Sequence, residues 1–277
     1  MIIQTAPAGT PRLAIMMYEH MALCRQFANA FGNDEFEPLA PLDPMIFVIS
    51  NHDAGWAEFD RDPATDVTTG LPYNLNDTPA DYITVTSKRS PDFNEQQHPF
   101  CGLISSMHSW GLYNGRYGLS KLVPIDNIPP DKRPLADRML AGELDRQKRL
   151  KDVIAKDAQL AVRLDDRRLF QNYKQLQFLD TLALYFNRIH RAERRQQTFE
   201  NVPRNAQQDI AVAIEPKADG IYALSPFPFA PTQAEFAFAG RRLTPQDRDP
   251  ESGWRDVLRT KPTEWERFRL VPGSDRL

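Results

Sequence analysis

Polar side chains that favour divalent metals interrupt several apolar stripes of this sequence. They are His20, the adjacent pair His52-Asp53, His108 and Asp180. Imidazole nitrogen and carboxylate oxygen are the standard ligands of mid-series metals. Asp180 has apolar neighbours on nearly every side, and an unpaired buried carboxylate is costly, so it should have a cation or strong donors nearby. The pattern therefore predicts a site for one or two divalent transition-metal ions, namely Mn, Fe, Co or Zn.

Each of these residues taken alone also has an ordinary structural explanation. A lone inward histidine is more often a hydrogen-bonded core residue than a ligand, and Asp180 could pair with an arginine. Several buried polar groups in one core need a shared reason, however. A metal neutralises the carboxylates and selects the imidazole tautomers at the same time, which favours the metal hypothesis.

Helices are expected to carry these side chains inward, because the apolar residues around them recur at spacings of three and four. The predicted helices cover residues 11–31 with His20, 43–59 with His52, 100–113 with His108, 135–162 with a solvated outer face, and 165–190 with Asp180. A strand or arm is expected over 1–10. Loops are expected over 60–79 and 88–97, with a helix over 78–87 in which the run 82–86 prefers strand by propensity.

The pattern changes after residue 205. Alternating segments predict strands over 210–214, 220–224, 235–239 and 267–271, with a turn between the first two. The region carries no histidine or cysteine, so its expected role is structural. The predicted fold is therefore mainly α, with a helical metal-binding domain over residues 1–205 and a small antiparallel β-sheet over 206–277 packed on it.

The composition limits the classes of partner. The 277 residues carry a net charge of −3, which provides no global field for nucleic acid or an anionic membrane. Cys24 and Cys101 lie in apolar segments and imply no disulfide framework. No signal-peptide pattern is present, and no apolar run approaches the roughly 20 residues that span a bilayer. We expect a cytoplasmic protein that acts on a small-molecule substrate and binds neither a nucleic-acid polymer nor a membrane. A homodimer is compatible with the sequence.

The order of the candidate ligands along the chain resembles the HD-domain superfamily of metal-dependent hydrolases. The resemblance covers residues 11–190 and rests on His20, the doublet His52-Asp53 and Asp180. It implies an HD-domain-like helical bundle in which these four residues bind one metal. More narrowly, the segments around His20, 52–56, 70–72, 106–108 and 226–229 look like a bacterial family of that type, which brings no activity with it.

Two-metal members of the superfamily add histidines between the doublet and the last aspartate, and His98 and His108 are the candidates here. Ten residues of one helix separate two side chains by about 15 Å, too far for two ligands of ions that lie about 3.5–4 Å apart. His108 is therefore the favoured ligand. His98 precedes Pro99 and is a ligand or a substrate contact. In the two-metal form Asp53 would bridge the ions.

A metal-bound water with a lowered pKa could attack phosphorus or an activated carbon. Asp53 and Asp60 are the catalytic candidates, since Asp60 could position that water, although a turn role for Asp60 is equally compatible. Lys88, Arg116 and Lys174, together with Arg89, could bind a phosphate or could be solvated surface. The leading hypothesis is an HD-type metal-dependent phosphohydrolase that acts on a small phosphoester or nucleotide.

Two other functions remain open from the sequence. No basic residue follows the doublet, where Ala54-Gly55-Trp56 stands, and this is compatible with an HD-type di-iron oxygenase that cleaves a carbon bond. The second alternative is a non-catalytic regulatory module that keeps the metal for structure.

Overall fold

The computed structural model describes residues 1–218, 220–230 and 233–273, and within them the chain forms nine α-helices and seven β-strands. The helices are α1 Met17–Ala30, α2 Leu42–Ile49, α3 Ala57–Arg61, α4 Ala80–Gln97, α5 Pro99–Tyr113, α6 Arg133–Ile154, α7 Ala158–Ala161, α8 Asp166–Arg188 and α9 Arg255–Thr260. The strands are β1 Ile2–Ile3, β2 Arg12–Ile15, β3 Gln197–Pro203, β4 Asp209–Pro216, β5 Ile221–Ser225, β6 Ala234–Leu243 and β7 Glu264–Pro272. Asp219, in the predicted turn, and residues 274–277 of the predicted β region lie outside the described ranges.

In the described part of the chain the seven strands form one mixed sheet in the order β1-β2-β6-β7-β5-β4-β3. Adjacent strands in the sheet are antiparallel, except that β5 and β7 run parallel to each other. The prediction of a mainly α, all-helical HD-like bundle with a small C-terminal antiparallel sheet was therefore wrong. The sheet is large and takes strands from both ends of the chain, because β2 pairs with β6 with Leu13 opposite Arg242.

The strand predictions after residue 205 are confirmed, but the start of the first predicted helix was wrong. Residues Arg12–Ile15 form β2, and α1 begins only at Met17. Leu13 fits both the helical stripe that continues through Met16 and Met17 and the inward face of a strand with Ile15, so local periodicity could not separate the two. The pairing of β2 with β6, more than 200 residues away, decides in favour of the strand.

The predicted helix through His52 also ends early, because α2 stops at Ile49. The Ser50 hydroxyl donates to the Ile46 carbonyl at 2.6 Å, and the Asn51 amide donates to the Phe47 carbonyl at 2.8 Å. These side chains donate hydrogen bonds to carbonyl groups of the last helical turn, so α2 can end here without leaving those carbonyls unpaired. His52 and Asp53 consequently lie in a turn between α2 and a short 3₁₀ segment, Ala54–Trp56.

The loop predicted over 88–97 is also wrong, since α4 continues through it to Gln97. The threonines that prefer strand are accommodated in this helix, because the Thr84 and Thr86 hydroxyls donate to carbonyls of the preceding turn, on Ala80 and Ile83. No helix among the described residues has the length and apolar character needed to cross a membrane.

Aromatic side chains pack α1 and α8 against the inner face of the sheet. Phe186 of α8 stacks on Phe268 of β7 with ring centroids 3.7 Å apart, and Phe27 of α1 meets Phe236 of β6 edge to face at 4.7 Å. Phe229 lies 5.9 Å from Phe27 and joins the same cluster. Such pairs add directional packing to the burial of apolar area. The cluster therefore holds α1 and α8 side by side, and these two helices carry His20 and Asp180.

Candidate metal centre

Three helices and one turn bring five of the six predicted ligands together. Nε2 of His20 on α1 lies 3.2 Å from Oδ1 of Asp180 on α8. Nε2 of His52, in the turn after α2, lies 3.6 Å from the same oxygen and 3.4 Å from Oδ2 of Asp53. The His108 ring on α5 has its centroid 5.1 Å from that of His52. Residues 160 positions apart therefore share one donor cluster.

This cluster is enclosed on most sides. His20, His52, His108 and Asp180 are buried, and 5% or less of each residue is exposed. The Asp53 side chain retains 16% exposure and is the most accessible of the five. Water therefore reaches the cluster most readily at Asp53.

His52 is held in one orientation by the end of α2. Its Nδ1–H donates to the backbone carbonyl of Ile49 at 2.8 Å. A carbonyl only accepts, so Nδ1 carries the hydrogen and the neutral ring presents a lone pair at Nε2. That Nε2 is buried without a hydrogen-bond partner and faces the carboxylates of Asp53 and Asp180. A lone pair facing two anions is unfavourable unless a proton or a metal cation lies between them.

The other two imidazoles also have a polar side chain of α8 behind them. Nδ1 of His20 lies 2.9 Å from Oδ1 of Asn187, so its hydrogen also lies on Nδ1. Nδ1 of His108 contacts the Gln177 amide nitrogen, while the Gln177 oxygen is buried and unpaired. Turning that amide over would place its oxygen against Nδ1. Metal-binding histidines characteristically donate their second ring N–H to such acceptors.

The spacing of the donor atoms fits a transition-metal ion. With metal–nitrogen and metal–oxygen bonds of about 2.0–2.2 Å, neighbouring ligand atoms lie about 2.9–3.4 Å apart around one ion. The three separations among His20, His52, Asp53 and Asp180, at 3.2, 3.4 and 3.6 Å, lie at or just above that range. They exceed the usual length of a strong charge-assisted hydrogen bond. The residues present therefore suit a metal with imidazole and carboxylate ligands.

The charges of the cluster are strongly coupled. Burial alone would lower the pKa of His52, but Asp53 and Asp180 outweigh it and raise that pKa to about 9. Burial and the neighbouring His52 lower the pKa of His108 to about 3. Burial also opposes ionisation of Asp180, yet the adjacent imidazoles of His20 and His52 hold its pKa well below the ordinary value. Burial raises the pKa of Asp53. Opposed shifts of this kind are typical of functional sites.

Two predicted residues lie outside the donor cluster. His98 caps the start of α5, where its Nδ1 accepts from the Phe100 amide at 3.1 Å. Asp60 accepts from the Met17 amide at 2.5 Å and lies 3.0 Å from the Met1 amino group. Neither residue belongs to a potential ligand group within the described ranges. The structure therefore places Asp60 at the start of α1 and His98 at the start of α5.

The cationic residues proposed for substrate binding divide into two sets. Lys88 is exposed and pairs with Asp92 at 3.3 Å, and Arg89 pairs with Glu58. Both belong to surface ion pairs of α4, away from the metal donors.

The second set lines a cavity of about 210 Å³ between α8 and β3. Arg116, Lys174 and Gln177 contribute to its wall, although Lys174 also pairs with Asp209. Because Gln177 contacts His108 as well, the cavity adjoins the donor cluster. Arg116 and Asn201, which both line it, adopt left-handed backbone conformations with φ of 52° and 59°. Such strained residues concentrate at functional sites.

Sequence reasoning missed one side chain in the cluster, Cys24. Its Sγ lies 3.7 Å from Nε2 of His20. Donor atoms of His20, Cys24 and His52 lie within 4.8 Å of one another, as do those of His52, Asp53 and His108. The available signal was the spacing of four residues from His20, which places both side chains on one face of a helix.

A family profile described as "Protein of unknown function (DUF3891)" matches residues 1–245. The chain belongs to the DUF3891 family. The DUF3891 match runs from β1 through β6 and includes every residue of the donor cluster. No curated protein and no solved structure matches the chain. The similarity to the HD-domain superfamily therefore remains a resemblance of motif.

Proposed function

We propose that this DUF3891 protein is a metal-dependent hydrolase that cleaves a phosphoester of a small molecule or nucleotide. The observation that carries the proposal is the Nε2 atom of His52, which is buried and unpartnered between the carboxylates of Asp53 and Asp180. A buried polar atom without a partner is costly, and a bound cation would remove that cost.

His20, His52, Asp53 and Asp180 would hold one ion, and His108 with Asp53 would contribute to a second. When bound, such an ion polarises a phosphoryl oxygen and lowers the pKa of a coordinated water. The chain's own contribution is orientation and exclusion of bulk water. The Ile49 carbonyl directs His52 and the Asn187 amide directs His20, while the half-buried Asp53 stands at the accessible side.

The cavity beside His108 supports an anionic substrate. Arg116 has no carboxylate partner at ion-pair distance among the described residues, so its guanidinium is free to receive phosphate oxygens. Lys174 adds positive charge to the same wall but is already paired with Asp209. Arg116 is therefore the principal candidate for phosphate binding.

Elemental analysis of the purified protein, combined with a generic phosphoester assay, tests the proposal. We expect bound transition metal and cleavage stimulated by Mn or Co. His52→Ala and Asp180→Ala should both abolish bound metal, whereas His190→Ala, which removes a histidine outside the cluster, should retain it. Unchanged metal content per chain in both cluster variants would show that the site is misassigned.

The number of ions is tested by His108→Ala. The His108 ring lies beside His52 but has no close contact with Asp180 or His20 among the described ion pairs. We expect this variant to lose a second ion and keep the first. Equal loss of both ions would contradict a two-metal arrangement.

A di-iron oxygenase is the second candidate function. It is favoured by the enclosure of the donors and by the absence of an ion-pairing cation among the described contacts of the cluster, features that suit a small oxidant better than a phosphate. Two irons per chain with an oxygen-sensitive spectrum would favour this function. An intact metal site without an open coordination position would instead support a structural role for the metal.

A further inference from the structure

The sulfur of Cys24 faces the donor cluster, and no ligand role follows for it from the HD-type motif. We propose that the Cys24 thiolate is a ligand of the metal centre and gives the ion held by His20 and His52 a sulfur donor. This inference rests on the proposed metal centre, but it does not depend on the hydrolytic reaction.

The first argument is geometric. Cys24 follows His20 by one helical turn on α1, so both side chains project from the same face. Sγ lies 3.7 Å from Nε2 of His20. A metal–sulfur bond of about 2.3 Å and a metal–nitrogen bond of about 2.0–2.1 Å place neighbouring ligand atoms of one ion about 3.1–3.6 Å apart. The observed distance lies just above this range and is compatible with two ligands of one ion.

The second argument is the unpaired Nε2 atom of His52, which lies near both Cys24 and His20. His52 is 1% exposed, its Nε2 has no hydrogen-bond partner, and its donor atom lies within 4.8 Å of those of Cys24 and His20. Cys24 itself is fully buried. The other described acceptor near Sγ is the Leu179 carbonyl at 4.0 Å, a long contact for a thiol donor. Sulfur and imidazole nitrogens thus converge on a common point.

Ligation would narrow the choice of metal. The S–H bond is replaced by a sulfur–metal bond, the thiol proton passes to solvent, and neither sulfur nor metal changes oxidation state. Thiolate ligands favour zinc and iron, whereas manganese prefers oxygen ligands. A sulfur donor at Cys24 therefore favours zinc or iron over manganese for the ion held by His20 and His52, and leaves the second ion, beside Asp53 and His108, open to manganese.

Cobalt substitution of the full-length protein tests this proposal. We expect the Co(II)-loaded protein to show a near-ultraviolet sulfur-to-cobalt charge-transfer band. Cys24→Ser should lose that band. Cys101→Ser is the matched control, because Cys101 is equally buried but lies on α5 with its sulfur 3.3 Å from the Pro44 carbonyl. The control should retain the band at full intensity.

A measurement on the unmodified chain covers the case in which Cys24→Ser fails to fold. X-ray absorption of the zinc-loaded protein should show a sulfur shell at about 2.3 Å beside the nitrogen and oxygen shell at about 2.0–2.2 Å. A zinc site with nitrogen and oxygen neighbours alone, or a cobalt band that persists in Cys24→Ser, overturns the proposal.

The outcomes separate this inference from the proposed function. Phosphoester cleavage by a protein whose metal has no sulfur neighbour would refute the ligand role and leave the hydrolase standing. A sulfur-ligated metal in a protein that does not cleave phosphoesters would support the ligand role of Cys24 and refute the hydrolase. A protein that binds none of manganese, iron, cobalt and zinc would refute both.

Discussion

The behaviour of individual donor residues depends on which imidazole nitrogen carries the hydrogen. Asn187 accepts from Nδ1 of His20, and the Ile49 carbonyl accepts from Nδ1 of His52. Both contacts leave the lone pair on Nε2, which is the atom that would bind the proposed metal. In the proposed metal centre, the residues behind the ligands would therefore contribute to metal affinity by fixing the orientation of each imidazole.

Replacing Asn187 by alanine tests this point. We expect Asn187→Ala to weaken metal binding by about 10- to 100-fold, because His20 loses the acceptor that orients its ring. Competition with a chelator of known affinity measures the change. Asn172→Ala is the control on the same helix, since Asn172 is buried and donates to the Ala40 carbonyl at 2.8 Å, away from the cluster. Similar losses of affinity in both variants would contradict a specific role for Asn187.

Among the elements, α4 decides where the turn with His52 and Asp53 lies. The Asn94 amide donates to the Asn51 carbonyl at 2.8 Å, and the Gly55 amide donates to the Ser90 hydroxyl at 3.0 Å. A Cβ atom at Gly55 would lie 2.2 Å from the Thr86 carbonyl oxygen. The close approach of turn and helix therefore requires glycine at this position.

A pair of glycine substitutions tests that requirement. Gly55→Ala should destabilise the protein by about 1–3 kcal/mol, because the added methyl group meets backbone that cannot move aside cheaply. Gly142→Ala should stabilise it by about 0.5–1 kcal/mol, since Gly142 lies in α6 with open space around its Cβ position. Urea denaturation midpoints measure both. Loss of stability in the two variants alike would contradict the packing argument.

For the whole molecule, the proposed metal centre would couple metal binding to folding. The donors come from α1, the turn after α2, α5 and α8, and the aromatic cluster on the sheet holds α1 beside α8. An unfolded chain has no such constellation. A metal that binds only the folded state stabilises it by mass action.

This coupling predicts a metal-dependent thermal transition. At a free metal concentration 100 times its dissociation constant, we expect about 2.7 kcal/mol of added stability. Thermal melting with and without a chelator measures the change in Tm. Asp180→Asn keeps the side-chain volume but removes the charge, so the metal should no longer raise Tm in that variant. An undiminished rise would mean that the ion binds elsewhere.

The sequence by itself determined which side chains are inward and polar. His20, His108 and Asp180 interrupt apolar stripes of helices, and a stripe is a local property that periodicity reveals. His52 was also predicted to point inward, but it does so from the turn after α2 and not from a helical stripe. The strands over 210–214, 220–224, 235–239 and 267–271 were also predicted correctly, because alternation within each one is local.

Only the tertiary structure decided that β1 and β2 join the C-terminal strands, and that Cys24 faces the same point as the histidines. Leu13 pairs with Arg242, and the Asn187 amide supports His20 from a different helix. Contacts between residues so far apart in the chain leave no local periodic signal. They are selected by the shared burial of the helices and the sheet around one core.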